Sequence, residues 1–231
     1  MRPLLLLFVL IAHAPIINAQ LSYGVECAAG FSYRRSLPIG MTSVDELLEI
    51  DQQERGNFGY LVGLRLLAGG DSKVNFSTGI NYQRTSYRVR PLDIAVGDEQ
   101  LVEVFEQRQQ FDFHNIEVPF ALHFYQDVAE QHRVYFKLGM AVLYHIGRNQ
   151  TTSLFQEGTL REQNTTKINS GADLNTGLVM GLGYETKISQ RLELFVEPVF
   201  RYYLRSHFDD DRFGRQPYLL GVSAGIKLSE N

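Results

Sequence analysis

Alternation of apolar and polar residues with a period of two recurs eight times along the chain and constrains its fold more than any other feature. In the first run, Tyr23, Val25, Cys27 and Phe31 fall on one face, whereas Glu26 and small residues fall on the other. A β-strand places successive side chains on opposite faces, so each run predicts a strand between two different environments. The eight predicted strands centre on residues 22–34, 58–66, 74–82, 116–124, 134–145, 176–185, 192–202 and 218–228.

The connections between these strands alternate between short and long. Short turns are predicted at 69–72, 126–132 and 188–191, and long connections at 35–57, 88–110, 148–174 and 207–217. An up-and-down outer-membrane barrel has this arrangement, with short turns facing the periplasm and long loops facing outward. Within the long connections, 42–55 and 99–110 are expected to form short helices or to extend the strands, and they are the candidate partner-binding surfaces.

A soluble lipocalin-like barrel also has eight alternating strands, but with the apolar face inward. Three features favour the membrane version: small residues on the polar face, aromatic residues near the strand ends of the apolar face, and polar-face charges of both signs. Opposite charges can pair inside a lumen, which lowers the cost of burying them. The charges are Glu26, Arg65, Glu117, Lys137, Glu185, Glu197, Arg201 and Lys227.

The first 19 residues have the layout of a secretory signal peptide. Arg2 precedes an apolar run from Leu4 to Ala12, and Ala19 suits the position before a cut at Gln20. We therefore expect a signal peptide at 1–19 and an outer-membrane β-barrel domain at 20–231. The net charge of −4 argues against a nucleic-acid partner, and the single cysteine, Cys27, excludes an internal disulfide.

One predicted strand carries a family resemblance. Residues 116–125 read IEVPFALHFY, with supporting segments at 137–139, 181–185 and 221–228. The chain resembles the PorT-like family of small outer-membrane β-barrels, which carries a strand of the type "(L)EIPLLLKY" at this place. The resemblance covers nearly the whole chain after residue 19. It implies a signal peptide, an outer-membrane location and an eight-stranded barrel, and the family's namesake is linked to protein secretion in the type IX system.

Six polar-face residues are candidates for a lumen binding site: Glu117, His123, Lys137, His145, Glu197 and Arg201. Glu117 is expected to pair with Lys137 or Arg201, either as a binding group or as an ion pair that fills space. Pro119 cannot donate to a ladder and is expected to mark a bulge or a local bend. His123 and His145 have no ligand at metal-site spacing, so neither a metal nor a cofactor is predicted.

The sequence leaves three functions open. The preferred one is a non-enzymatic barrel that binds outer-membrane lipid and engages other envelope proteins, with secretion components among them. A lipid-modifying enzyme is the second. Ser206 and His207 near Asp209 offer the residue types of a triad, but adjacent residues on a strand point to opposite faces, so no catalytic residue is assigned. A narrow passive channel is the third, although side chains fill the interior of an eight-stranded barrel.

Overall fold

The computed structural model describes residues 20–38, 53–96, 103–168, 174–204, 209–210 and 213–229. These residues form ten strands. Their bounds are β1 Leu21–Pro38, β2 Glu54–Ala68, β3 Val74–Val96, β4 Glu103–Ala129, β5 His132–Gln156, β6 Thr159–Ile168, β7 Leu174–Lys187, β8 Leu192–Tyr203, β9 Asp209–Asp210 and β10 Phe213–Ser229. No helix within the described ranges is long and apolar enough to cross a membrane.

Eight of the ten strands close into a ring. Each pairs antiparallel with its neighbours in the order β1-β2-β3-β4-β5-β7-β8-β10, and β10 pairs with β1 to complete the circle. The predicted all-β, eight-stranded antiparallel barrel is thereby confirmed. Among the described strands, β6 pairs only with β5 and β9 only with β10, so neither belongs to the wall. The predicted signal peptide at 1–19 lies outside the described residues.

The apolar face of the barrel points outward. Val25, Phe31 and Leu182 have exposed fractions of 55%, 70% and 65%, whereas Glu26 and Glu117 are buried on the inner face. The lone Cys27 also lies on the outer face, next to Val25 in the alternation. Because an apolar exterior around a polar, charged interior fits a barrel in lipid, the predicted orientation of the two faces is correct.

Three of the predicted long connections are wrong as loops, because strand pairing continues through most of each, including 207–217, which contains β9 and the start of β10. Of the two expectations for 99–110, strand extension is the one that β4 confirms from Glu103 onward. In the predicted connection 88–110, β3 runs to Val96 and β4 begins at Glu103; in 148–174, β5 runs to Gln156 and β6 returns to Ile168. Glu157 and Gly158, both with positive φ, form the two-residue turn between β5 and β6. We call the resulting four-stranded extension, residues 84–96, 103–114, 147–156 and 159–168, the outer sheet.

Pro119 does not form the predicted bulge. On one side of β4, the pairing with β3 is interrupted between the facing pairs Thr78–Phe120 and Asn81–Glu117, but it resumes in the same register. On the other side, β5 stays paired with β4 through the facing pair Pro119–Ala141. A proline lacks one N–H, so it disturbs the ladder to only one neighbour. A register shift in the β4–β5 ladder lies instead at the base of the outer sheet, where Ile146 of β5 is an extra residue between the pairs His114–Gly147 and Asn115–His145.

Candidate functional site

The barrel interior contains three layers of paired charges. The first lies near the short turns, where Arg133 and Lys227 face Glu185 and Glu193. Arg133 forms an ion pair with Glu185 and lies 3.2 Å from Glu193, while the Lys227 Nζ lies 2.9 Å from Glu185 and 2.5 Å from Glu193. The hydroxyl of Tyr125 donates to Glu185 over 3.3 Å. Two cations thus neutralise two buried carboxylates at this end.

Glu197 is the centre of the middle layer. It forms an ion pair with Lys137, accepts a hydrogen bond from the Tyr135 hydroxyl at 2.8 Å, and lies 3.8 Å from Arg65. Arg65 in turn forms an ion pair with Glu26. Glu197 is fully buried, so each of its partners offsets a desolvation cost that an unpaired carboxylate would carry.

Glu117 organises the third layer. Its carboxylate lies 3.3 Å from the Arg201 Nε and accepts hydrogen bonds from Asn81 at 2.9 Å and from the Tyr203 hydroxyl at 3.2 Å. Of the two partners expected for Glu117, the structure therefore selects Arg201, while Lys137 pairs with Glu197. Arg201 and Tyr203 are both almost completely buried.

The two candidate histidines lie in different surroundings. The Nε2 of His123 is 2.7 Å from the Ser77 hydroxyl, and the Nδ1 of His145 is 3.0 Å from the Asn115 side-chain oxygen. Within the part of the chain that the structure describes, no three His, Cys, Asp or Glu side chains are grouped so as to hold a metal ion. The structure therefore does not bring these histidines together as one site.

Buried charges of the described interior balance. Inside the barrel, six cations face six anions: Arg34, Arg65, Arg133, Lys137, Arg201 and Lys227 against Glu26, Glu54, Glu117, Glu185, Glu193 and Glu197. The further buried acid Asp112, in the outer sheet, pairs with Arg84 at 2.8 Å. A cavity beside Arg65 and Lys137 measures about 10 Å³, barely the space of one water molecule. Above it, Leu61, Leu143 and Leu219 have exposed fractions of at most 1%. This packing disfavours an open water channel.

Aromatic and cationic side chains close the interior at the base of the outer sheet. Tyr87 stacks on Phe111 with ring centroids 4.8 Å apart and lies 5.9 Å from Phe113. The Arg34 guanidinium sits 3.2 Å above the Tyr87 ring and pairs with Glu54 at 2.7 Å. The cation–π contact and the ion pair fasten β1 and β2 to the sheet that extends from β3 and β4.

Sequence reasoning missed several members of these layers as site residues. Tyr135 and Tyr203 each donate a hydrogen bond to a buried carboxylate, and Arg133 forms an ion pair with another. A signal was available for all three. Odd-numbered residues face the lumen in β5, as Lys137 does, and in β8, as Arg201 does, and all three residues have odd numbers in these strands. Extending each alternating run by two residues would have placed Arg133 and Tyr203 in the lumen.

A comparison with family models resolves the class of barrel. Residues 18–209 match the model described as "Outer membrane protein beta-barrel domain". The chain belongs to this family. Its location is therefore the outer membrane, and the short-turn end of this outer-membrane barrel is the periplasmic end, as in other barrels of this kind.

Several solved structures match the chain at low similarity. Neisserial surface protein A is 12% identical, with 89% of this chain and 96% of that chain covered and a TM-score of 0.42. OprG from Pseudomonas aeruginosa is 8% identical, with 92% and 96% covered and a TM-score of 0.43. A major outer membrane protein from Thermus thermophilus is 12% identical, with 91% and 99% covered and a TM-score of 0.42. No curated protein matches the sequence.

At the periplasmic rim, Asp71 in the β2–β3 turn links two other elements. The Lys187 ammonium donates to it at 3.0 Å and holds the pKa of Asp71 below its usual 3.8, with Arg133 at 3.5 Å adding to the effect. A carboxyl with a lowered folded-state pKa stabilises the fold above its unfolded pKa, and this contribution is lost as the pH falls through the folded-state pKa.

We therefore expect Asp71→Asn to be less stable than the wild type at pH 7, and we expect this difference to shrink as the pH falls through the folded-state pKa of Asp71. The measurement is the urea midpoint of the barrel in lipid vesicles at several pH values between 7 and 2. Asp71 is largely exposed, so the difference at pH 7 should be small, and high salt should reduce it further. A difference that persists undiminished at pH 2 would show that the charge of Asp71 is not its cause.

Proposed function

We propose that this protein is a non-enzymatic outer-membrane barrel that presents its outer sheet to another envelope protein, with protein secretion as the process it serves. The observation that carries the proposal is the contrast between the two halves of the molecule. The interior is filled by charges that satisfy one another, whereas the outer sheet ends in a long strand edge, β6, that is exposed from Thr159 to Lys167.

The free edge is that of β6. All residues from Thr159 to Lys167 are exposed, and β6 pairs with β5 along its length but with no other described strand. From Arg148 to Gln156, the outer part of β5 rises roughly 30 Å along the strand direction. An unpaired edge of this length can accept an extended segment of a partner through backbone hydrogen bonds.

The chemistry of the interior supports a role without catalysis. Glu117, Glu185 and Glu197, which have the side-chain type of a general acid or base, are each engaged by a buried cation. A catalytic carboxylate must instead reach a substrate atom within hydrogen-bonding distance. The link to secretion rests on the resemblance to the PorT-like family at residues 116–125.

A strain lacking the gene, complemented with wild type or with a trimmed barrel, tests both parts of the proposal. In the trimmed variant, Asn-Gly replaces residues 151–165, so that the Gln150–Thr166 pair and everything below it remain. We expect both the deletion and the trimmed variant to lose a set of secreted proteins, which mass spectrometry of the culture medium measures. Secretion unchanged on deletion would refute the secretion role, and full rescue by the trimmed barrel would refute the role of the outer sheet.

A further inference from the structure

We propose that a groove on the outside of the barrel, at the base of β6, binds the phosphorylated headgroup of an outer-leaflet lipid. Lys167 supplies the positive charge, Asn149 and Tyr82 supply hydrogen-bonding groups, and Ile146 supports the first part of an acyl chain. This site goes beyond the proposed function, because it concerns lipid rather than a protein partner and does not depend on the edge of β6.

A change of strand partner creates the groove. β5 pairs with β7 up to Tyr144 and with β6 from Arg148 onward. At the same level the β4–β5 register shifts, because Ile146 of β5 is an extra residue between the pairs His114–Gly147 and Asn115–His145. The resulting cavity measures about 360 Å³ and opens on the outer surface. Its floor includes Gly147, which has no side chain. A Cβ placed on this glycine would meet no atom within 4 Å, so the space beside it is open.

Hydrogen bonds fix one wall of the groove. The Tyr82 hydroxyl lies 2.5 Å from Nδ1 of His114, and the Asn149 side-chain nitrogen donates to Nε2 of the same ring over 3.2 Å. Both ring nitrogens of His114 are therefore used, and the ring stacks on Tyr82 with centroids 6.0 Å apart. His114 thus positions Tyr82 and Asn149 rather than offering a free group of its own.

Charge at the groove is positive. Lys167 lines it and is exposed, and within the described ranges no ion pair joins Lys167 to a carboxylate. The acid at the same level of β4, Asp112, is already 2.8 Å from Arg84 and accepts hydrogen bonds from Gln110. The uncompensated ammonium therefore favours an anion, and a phosphate accepts from an ammonium and an amide at once.

The position of the groove selects a lipid as the source of that phosphate. Ile146, 50% exposed, lines the groove, and Tyr144, Met140 and Leu138 continue below it on the lipid-facing side of β5. A ligand seated there has an anion at the level of Lys167 and hydrocarbon below it. An acylated, phosphorylated glycolipid such as lipid A combines these two parts, whereas free phosphate has nothing to place against Ile146.

Native mass spectrometry of the full barrel in detergent micelles, titrated with diphosphoryl lipid A, tests the assignment. We expect Lys167→Glu to bind lipid A roughly tenfold more weakly, since it replaces a charge-assisted contact by repulsion. Gly147→Leu should weaken binding by occupying the groove, since the new side chain begins from a Cβ that meets no protein atom within 4 Å. The matched control is Arg161→Glu, which makes the same change of charge on the same strand but outside the groove.

Wild-type binding that is lost with dephosphorylated lipid A, reduced in Lys167→Glu and Gly147→Leu, and retained in Arg161→Glu supports the site. Equal loss in Arg161→Glu overturns it in favour of general attraction between charges. Competition by inorganic phosphate at millimolar concentration overturns the choice of a lipid. Wild-type affinity in Lys167→Glu, in protein that still shows the heat-dependent gel shift of a folded barrel, overturns the proposal altogether.

Discussion

Replacing Glu197 with leucine is expected to lower the free energy of unfolding of the barrel by about 3–5 kcal/mol. The carboxylate of Glu197 is paired with Lys137, lies 3.8 Å from Arg65 and accepts a hydrogen bond from Tyr135. Its removal leaves the Lys137 ammonium in a fully packed interior without its partner. Urea unfolding in lipid vesicles, followed by the gel shift between folded and unfolded barrel, measures the change.

The double variant Lys137→Met/Glu197→Leu is the decisive control. It removes both members of the pair and keeps the volume, so most of the lost stability should return, since Arg65 retains Glu26. Val25→Ala, on the lipid-facing side, controls for the loss of a side chain without a change of charge. If Glu197→Leu unfolds at the wild-type urea concentration, the middle layer does not contribute to stability in the way its geometry indicates.

A second large effect is expected at the seam where the first and last strands meet. Gly30 of β1 stands opposite Gly221 of β10 and Gly59 of β2. A Cβ at Gly30 would lie 2.2 Å from the Leu220 carbonyl oxygen and 2.5 Å from the Gly221 Cα. Gly30→Val therefore forces β1 and β10 apart, with an expected cost of about 3 kcal/mol or more.

The same gel assay after refolding into vesicles measures this effect. We expect Gly30→Val to lose most of the heat-dependent shift, because a barrel that does not close retains unpaired edges in lipid. Ala29→Val is the matched control: it adds bulk at the next position, but its side chain points outward and is exposed. A normal shift in Gly30→Val would mean that the seam relaxes without loss of closure.

The sequence predicts the wall of the barrel well and the outer sheet poorly, for one physical reason. Strands in the wall separate lipid from lumen, so their two faces differ and the alternation is visible. β6, Thr159–Ile168, has water on both faces and shows no alternation, so its sequence predicts a loop. The same holds for β3 beyond Arg88, whereas strand extension is one of the two expectations for the first residues of β4.

Pairing across the lumen was only partly predictable. Parity places Glu117, Lys137, Glu197 and Arg201 in the interior, as the structure shows. Which cation meets which anion depends on how far each strand is displaced relative to the next around the ring, and no local pattern carries that displacement. Lys137 therefore could not be assigned to Glu197 rather than Glu117 before the register was known.

The change of strand partner along β5 has a consequence for how the sequence and length of such a barrel can vary. The pairing of β5 with β7 ends at Tyr144, and its pairing with β6 begins at Arg148. One continuous strand therefore takes part in two separate ladders, one in the wall and one in the outer sheet. Residues can be inserted or removed in matched pairs around Glu157–Gly158 without altering any register below Tyr144. The strands of the wall can therefore stay unchanged while the β5–β6 hairpin varies in length and sequence. The hairpin could also be exchanged for a displayed peptide at little risk to membrane assembly.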